Sequence, residues 1–108
     1  MKRGDLVIVS APGDYGKPRP AVVIQSDGLK GAESVLVALI TSALVDAPIY
    51  RLKLQPTGAN GLNVASQVMV DKIVALSRAR CGPVIGALDA GEIVALNALL
   101  LVMIGLAD

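Results

Sequence analysis

Apolar residues come in short runs broken by Gly, Pro and Asp, and only near the C-terminus does one run become long. Leu6 to Ser10 is rich in β-branched residues and is closed by Ala11-Pro12-Gly13-Asp14, which predicts a first strand and a turn. A loop carrying Gly13 and Gly16 follows, to about Pro18, with the composition of a segment able to fold over a ligand. Ala21 to Gln25 and Ser34 to Thr41 are almost continuously apolar, as expected of central strands, and Ser26-Asp27-Gly28 after the first is a turn. From Tyr50 to Leu54 the pattern alternates, with Arg51 and Lys53 on one face and Tyr50, Leu52 and Leu54 on the other. Pro56-Thr57-Gly58-Ala59-Asn60-Gly61 is a turn cluster, and Ser66 to Leu76 predicts two strands or one long strand bent near Asp71-Lys72.

Asp89-Ala90-Gly91-Glu92 has the spacing of an N-cap with a carboxylate three residues later, opening a helix of about four turns. Ile93 to Leu106 is apolar apart from Asn97 and Gly105, 14 residues where a membrane span needs roughly 20. A helix apolar nearly all round has to be covered on more than one side, by the sheet and by a second subunit or another protein. Five or six short strands, tight turns and one terminal helix leave no room for parallel crossovers. The expected fold is mainly β with a C-terminal helix, a small, partly open β-barrel forming a single domain over residues 1–108.

Composition sharpens this picture in three ways. Hydrophobic residues make up 54% of the 108, but the only aromatics are Tyr15 and Tyr50, so the core is built from Val, Leu, Ile and Ala. That apolar excess on a small domain favours self-association or a bound partner. A net charge of +1 argues against a strong nonspecific nucleic-acid binder while leaving room for a local basic site. Cys81 stands alone and there is no histidine, so neither an internal disulfide nor the usual zinc set is expected, and no metal or cofactor is implied. Met1-Lys2-Arg3 has the charge of a signal n-region, but Gly4-Asp5 interrupts it and Leu6 to Val9 is too short for an h-region, which predicts a cytoplasmic protein.

The candidate chemistry centres on Tyr15-Gly16-Lys17-Pro18-Arg19-Pro20, which sets one arginine between two prolines at the mouth of a buried strand. Pro20 biases Arg19 toward extended backbone and Pro18 fixes its own φ, so the guanidinium is held on a stiff support. A planar, permanently charged fork suits phosphate oxygens, which points to an anionic ligand or a phosphoryl transition state. A surface arginine after a turn is the plainer alternative.

Four segments stand in a characteristic order: Lys2-Arg3-Gly4-Asp5-Leu6-Val7, Gly16 to Ile24 with Gln25 and Asp27, Leu39-Ile40-Thr41, and Ser66-Gln67-Val68-Met69-Val70-Asp71-Lys72-Ile73. In these segments the chain resembles the MazF/PemK family of type II toxin–antitoxin modules. The resemblance implies a small dimeric endoribonuclease with an SH3-like barrel of the CcdB/MazF toxin type. Such an enzyme cuts single-stranded RNA, mRNA in the cell, without metal, by attack of a ribose 2′-hydroxyl on the adjacent phosphate to leave a 2′,3′-cyclic phosphate. Carried over position by position, Arg19 matches the family's catalytic arginine, Thr41 its catalytic threonine and Asp71 an acid used by the PemK-like branch. The chain departs from some relatives in having Met69 where they have arginine and Lys72 where they have glutamine, and it lacks the first-loop histidine of others. The family's partner is an antitoxin whose acidic, disordered C-terminal segment occupies the RNA groove.

This cleavage needs charge on the phosphorane, an acceptor for the 2′-proton and a donor for the departing 5′-oxygen. Arg19 suits phosphorane stabilisation and not general base chemistry, because its guanidinium stays protonated in water. Thr41 can orient the phosphate, and Asp71 is the matching carboxylate able to accept a proton. Their ordinary alternatives are a strand-end threonine and a turn aspartate. Tyr15, Lys17, Arg51, Lys53 and Lys72 are the candidate RNA-binding residues, Tyr15 by stacking and the others along the phosphates, unless they are simply solvated. Two rivals share the fold: a CcdB-like gyrase poison, which needs an exposed C-terminal tryptophan absent here, and a binding module without catalysis.

Overall fold

The computed structural model describes residues 1–13 and 17–108. Six strands, β1 (Asp5–Val9), β2 (Arg19–Val23), β3 (Ser34–Thr41), β4 (Arg51–Leu54), β5 (Ser66–Ser77) and β6 (Cys81–Ala87), precede the helix α1 (Ala90–Met103). They form one antiparallel sheet in the order β4-β5-β3-β2-β1-β6, curled but open between its edge strands. The expected mainly β, partly open architecture with a terminal helix is therefore observed.

The central strands are continuously apolar because both of their faces are buried. Val7, Val9, Ala21, Val23, Val37 and Leu39 belong to one core, enclosed by the curvature of the sheet. Leu6, Val22, Ala38, Ile40 and Val68 alternate with them and form a second core under Leu96 of α1. β5 is a single bent strand. Ala38 pairs with Ile73 and Ile40 with Val68, so two steps along β3 span five along β5, and the excess bulges out around Asp71. Beyond the bend, Ser66 to Met69 pairs with β4 as well.

β6 is absent from the sequence expectations, since Cys81-Gly82-Pro83 reads as a loop. It forms because it is an edge strand whose sheet neighbour is β1, where a proline without an N–H is tolerated and two register shifts are absorbed. The Pro56–Gly61 turn seats directly on it. A Cβ on Gly86 would strike the backbone of Ala59 and Asn60, and one on Gly61 would strike the Ile85 carbonyl, so both close approaches require glycine. Asn60, 1% exposed, knits this turn from inside. Its Oδ1 accepts from Thr57 N and Leu62 N, each at 3.0 Å, and its Nδ2 donates to Gln55 O at 2.8 Å.

α1 opens with the expected reciprocal cap: Glu92 N donates to Asp89 Oδ1 at 2.7 Å and Asp89 N to Glu92 Oε1 at 2.9 Å. Asn97, the polar interruption of the apolar run, accepts from Arg3 Nη2 at 2.7 Å and so ties the N-terminus to the helix. Leu96 is fully buried, whereas Val94, Leu101, Ile104 and Leu106 stay exposed on the side away from the sheet. No helix among the described residues is long and apolar enough to cross a membrane.

Candidate active site

The ladder between β2 and β3 begins at Ala21 opposite Leu39. Pro20 brings no N–H to extend it, so the two strands part just where the register, continued, sets Arg19 opposite Thr41. Across the other edge of β2, Val9 pairs with Arg19 and Ile8 with Pro20, which holds the arginine on a fixed strand and not on the loop before it. The parted strands open a cavity of about 350 Å³ with an apolar floor that includes Ile8, Pro20, Ile40 and Ile85. Arg19, Thr41 and Lys17 all border it, with Ser42, Asn63 and Ser66 completing a polar rim. A volume of this size admits a nucleotide-sized group.

Thr41 is half-buried, and its Oγ1 accepts from Ala43 N at 3.0 Å. That bond occupies one lone pair and leaves the hydroxyl hydrogen to donate into the cavity. Arg19 is half-buried at the rim, where its charge acts with less solvent screening than on an open surface.

The remaining sequence candidates fall in different places. Lys53 borders a neighbouring open cavity of about 420 Å³, walled by Leu44 and Val45 and sharing Ser66 with the first. Arg51 is turned inward: its Nη1 donates to Gln67 Oε1 at 2.9 Å and to Ala43 O at 3.4 Å. Arg51 also lines, with Lys53, a further open cavity of about 320 Å³. Asp71 and Lys72 are exposed at the bend of β5 and line neither of these cavities. No carboxylate borders the Arg19–Thr41 cavity among the described residues. Tyr15 lies outside the described residues.

Asn63, Leu62 and Ile85 have no distinguishing signal in the sequence, and Ser66 is marked there only as the start of a strand and of the last family-like segment. They reach the cavity because the Pro56–Gly61 turn docks on β6, a strand that the residue pattern hides. Elsewhere, burial pushes the Cys81 thiol up, with Arg78 partly offsetting it. Among the described residues no cluster of three or more His, Cys, Asp or Glu side chains is placed to hold a metal ion.

The family model for the PemK-like, MazF-like toxin of type II toxin–antitoxin systems matches residues 2–104. The chain belongs to this toxin family. A Mycolicibacterium smegmatis protein named "Probable endoribonuclease MazF" is 38% identical over 108 residues, covering 99% of each chain. Among solved structures, the Mycobacterium tuberculosis toxin MazF-mt6 superposes with a TM-score of 0.80 at 22% identity, over 94% of this chain and 96% of that one. A mycobacterial endoribonuclease in complex with its cognate antitoxin gives 0.82 at 17% identity, over 98% and 96%. A MazE–MazF complex from Deinococcus radiodurans gives 0.77 at 21%, over 97% and 95%. At these identities the superpositions speak to the toxin fold, which the open six-stranded sheet and terminal helix share.

Proposed function

We propose that this PemK/MazF-family toxin is an endoribonuclease that cuts single-stranded RNA at the Arg19–Thr41 cavity without a metal ion. The observation that carries the reading is that a proline-braced arginine and a strand-end threonine line one cavity beyond the Ala21–Leu39 end of the β2–β3 ladder. The substrate 2′-oxygen attacks the adjacent phosphorus as its proton passes to solvent water, the bond to the 5′-oxygen breaks as that oxygen takes up a proton, and the products are a 2′,3′-cyclic phosphate and a free 5′-hydroxyl. Arg19 stabilises the charge that gathers on the phosphorane oxygens and can donate to the departing 5′-oxygen. Thr41 donates its hydroxyl hydrogen to a phosphate oxygen and fixes the angle of attack. Asp71 does not line this cavity of one chain, and the stabilisation of the transition state is assigned to Arg19 and Thr41.

Lys17 beside the first cavity and Lys53 beside the second continue the positive rim along which the RNA backbone runs. With two aromatics in the whole chain, base recognition is mostly polar. The apolar outer face of α1 associates with a second copy. An acidic antitoxin segment blocks the enzyme by filling the same rim, and the protein acts in the cytoplasm, where mRNA is available.

The test is induced expression of wild type and Arg19→Ala. Growth arrest by the wild type and its loss in a folded, antitoxin-binding Arg19→Ala protein is the expected result. Undiminished arrest by Arg19→Ala contradicts the nuclease and points to a target that this cavity does not engage.

A further inference from the structure

In the loop between β3 and β4, all four backbone polar groups of Ala43 and Val45 are bonded by side chains. Ala43 N donates to Thr41 Oγ1 at 3.0 Å, and its carbonyl accepts from Arg51 Nη1 at 3.4 Å. Val45 N donates to Gln67 Oε1 at 3.1 Å, and its carbonyl accepts from Gln67 Nε2 at 2.8 Å. The same Gln67 oxygen accepts from Arg51 Nη1 at 2.9 Å, closing the set. Gln67 is 2% exposed and lies on β5 directly between Thr41 of β3 and Lys53 of β4. A buried primary amide is costly unless bonded, so Gln67 ties its own burial to the position of the loop.

We propose that Gln67 and Arg51 are positioning residues for RNA cleavage, an inference that rests on the nuclease reading of the Arg19–Thr41 cavity. Gln67 pins Val45 as an extra strand residue would and aims Arg51 at the Ala43 carbonyl. Arg51 then holds Ala43 so that its N–H occupies the Thr41 lone pair. With that lone pair engaged, the Thr41 hydroxyl hydrogen is directed toward the substrate phosphate. Without it, the hydroxyl samples the other staggered rotamers and bonds loop carbonyls. The same lock sets the wall between the two cavities, because Ser42 borders the first and Leu44 and Val45 border the second.

The test is a double-mutant cycle between Gln67 and Thr41, read by single-turnover cleavage of a single-stranded RNA, with backbone amide exchange on the same proteins. Gln67→Met keeps the length of the side chain and removes its bonds. It is expected to lower the cleavage rate by the order of 10²-fold, the scale of a misplacement remote from the reacting atoms. In the Thr41→Val background the same change is expected to cost less than about threefold, because the group being positioned is gone. Gln67→Glu keeps both acceptor bonds but sets a second oxygen against the Val45 carbonyl in place of the Nε2 donor, and it is expected to recover part of the activity. Exchange at Ala43 and Val45 rises at least about tenfold in Gln67→Met, while Val22 and Leu39 in the central strands are unchanged.

Equal fold-losses in the two backgrounds overturn the proposal, since a merely structural defect is indifferent to Thr41. Unchanged exchange at Val45 also overturns it. Should Gln67→Met not fold, Arg51→Met enters the same cycle with the same expectations. A wild type that cuts no RNA, with Ala43 and Val45 still protected, overturns the nuclease reading and the catalytic role together. Protection lost on substituting Gln67 would still establish the lock itself, so the two failures are told apart.

Discussion

Asn60→Ala removes the side chain that organises the turn behind the active-site cavity. Three hydrogen bonds go with it: the acceptances from Thr57 N and Leu62 N and the donation to Gln55 O. At about 1 kcal/mol net for each bond, the loss is about 3 kcal/mol. Thr57 and Gln55 are exposed and Leu62 half-buried, so water recovers part of their bonding and a larger penalty is not expected. For a domain of this size that loss lowers Tm by roughly 10–20 °C. Urea unfolding measures it directly, as a fall in the midpoint with the slope unchanged. Asn63→Ala is the control, since Asn63 is exposed at the cavity rim, and a change within about 0.5 kcal/mol is expected there. Cleavage by Asn60→Ala should also fall well below its melting temperature, because Gly61 and Leu62 line the cavity. A stability loss under about 1 kcal/mol refutes the reasoning that these bonds, and not the glycine contacts with β6, hold the turn.

Arg19→Lys keeps the charge but loses the planar fork, and a fall in single-turnover cleavage of at least about tenfold is expected, against a fall of the order of 10²-fold or more for Arg19→Ala. Asp71→Asn, at the exposed bend of β5, is expected to change the rate by less than about tenfold; a larger loss in folded protein would place a proton acceptor there that one chain does not bring to the cavity. Val94→Lys together with Leu101→Lys puts two charges on the outer stripe of α1, and sedimentation should show a dimer becoming a monomer of 11.0 kDa with its fold intact. A wild type that sediments as a monomer at all concentrations contradicts the proposed association.

Much of this fold is legible in the residue pattern because its central strands are buried on both faces over much of their length. Ala21 to Val23 and Val35 to Ile40 can be little other than central strands, and Asp89 with Glu92 announces the start of α1. The bend in β5 is legible for the opposite reason, since Asp71-Lys72 breaks an apolar run that has no turn residues. β6 escapes because a Gly-Pro-containing edge strand owes its existence to β1, a partner some 75 residues earlier in the chain. At the site, Arg19 is legible from its flanking prolines. Its pairing with Thr41 depends on register, which only the assembled sheet defines. Arg51 reads as a groove cation on an alternating strand, and its added bonds to Gln67 and the Ala43 carbonyl are visible only in the assembled sheet. Asn63 and Ser66 lie on one stretch and Ile85 on β6, and they meet through the turn that docks on β6.

The most direct measurement is to incubate the purified protein with a long unstructured RNA in EDTA, beside Arg19→Ala, and to map the new ends and their phosphates. Discrete cuts ending in 2′,3′-cyclic phosphate and 5′-hydroxyl, absent from the Arg19→Ala reaction, are the expected result. No cleavage across a wide range of RNA sequences, or identical cleavage by Arg19→Ala, would contradict the assignment of RNA cleavage to the Arg19–Thr41 cavity.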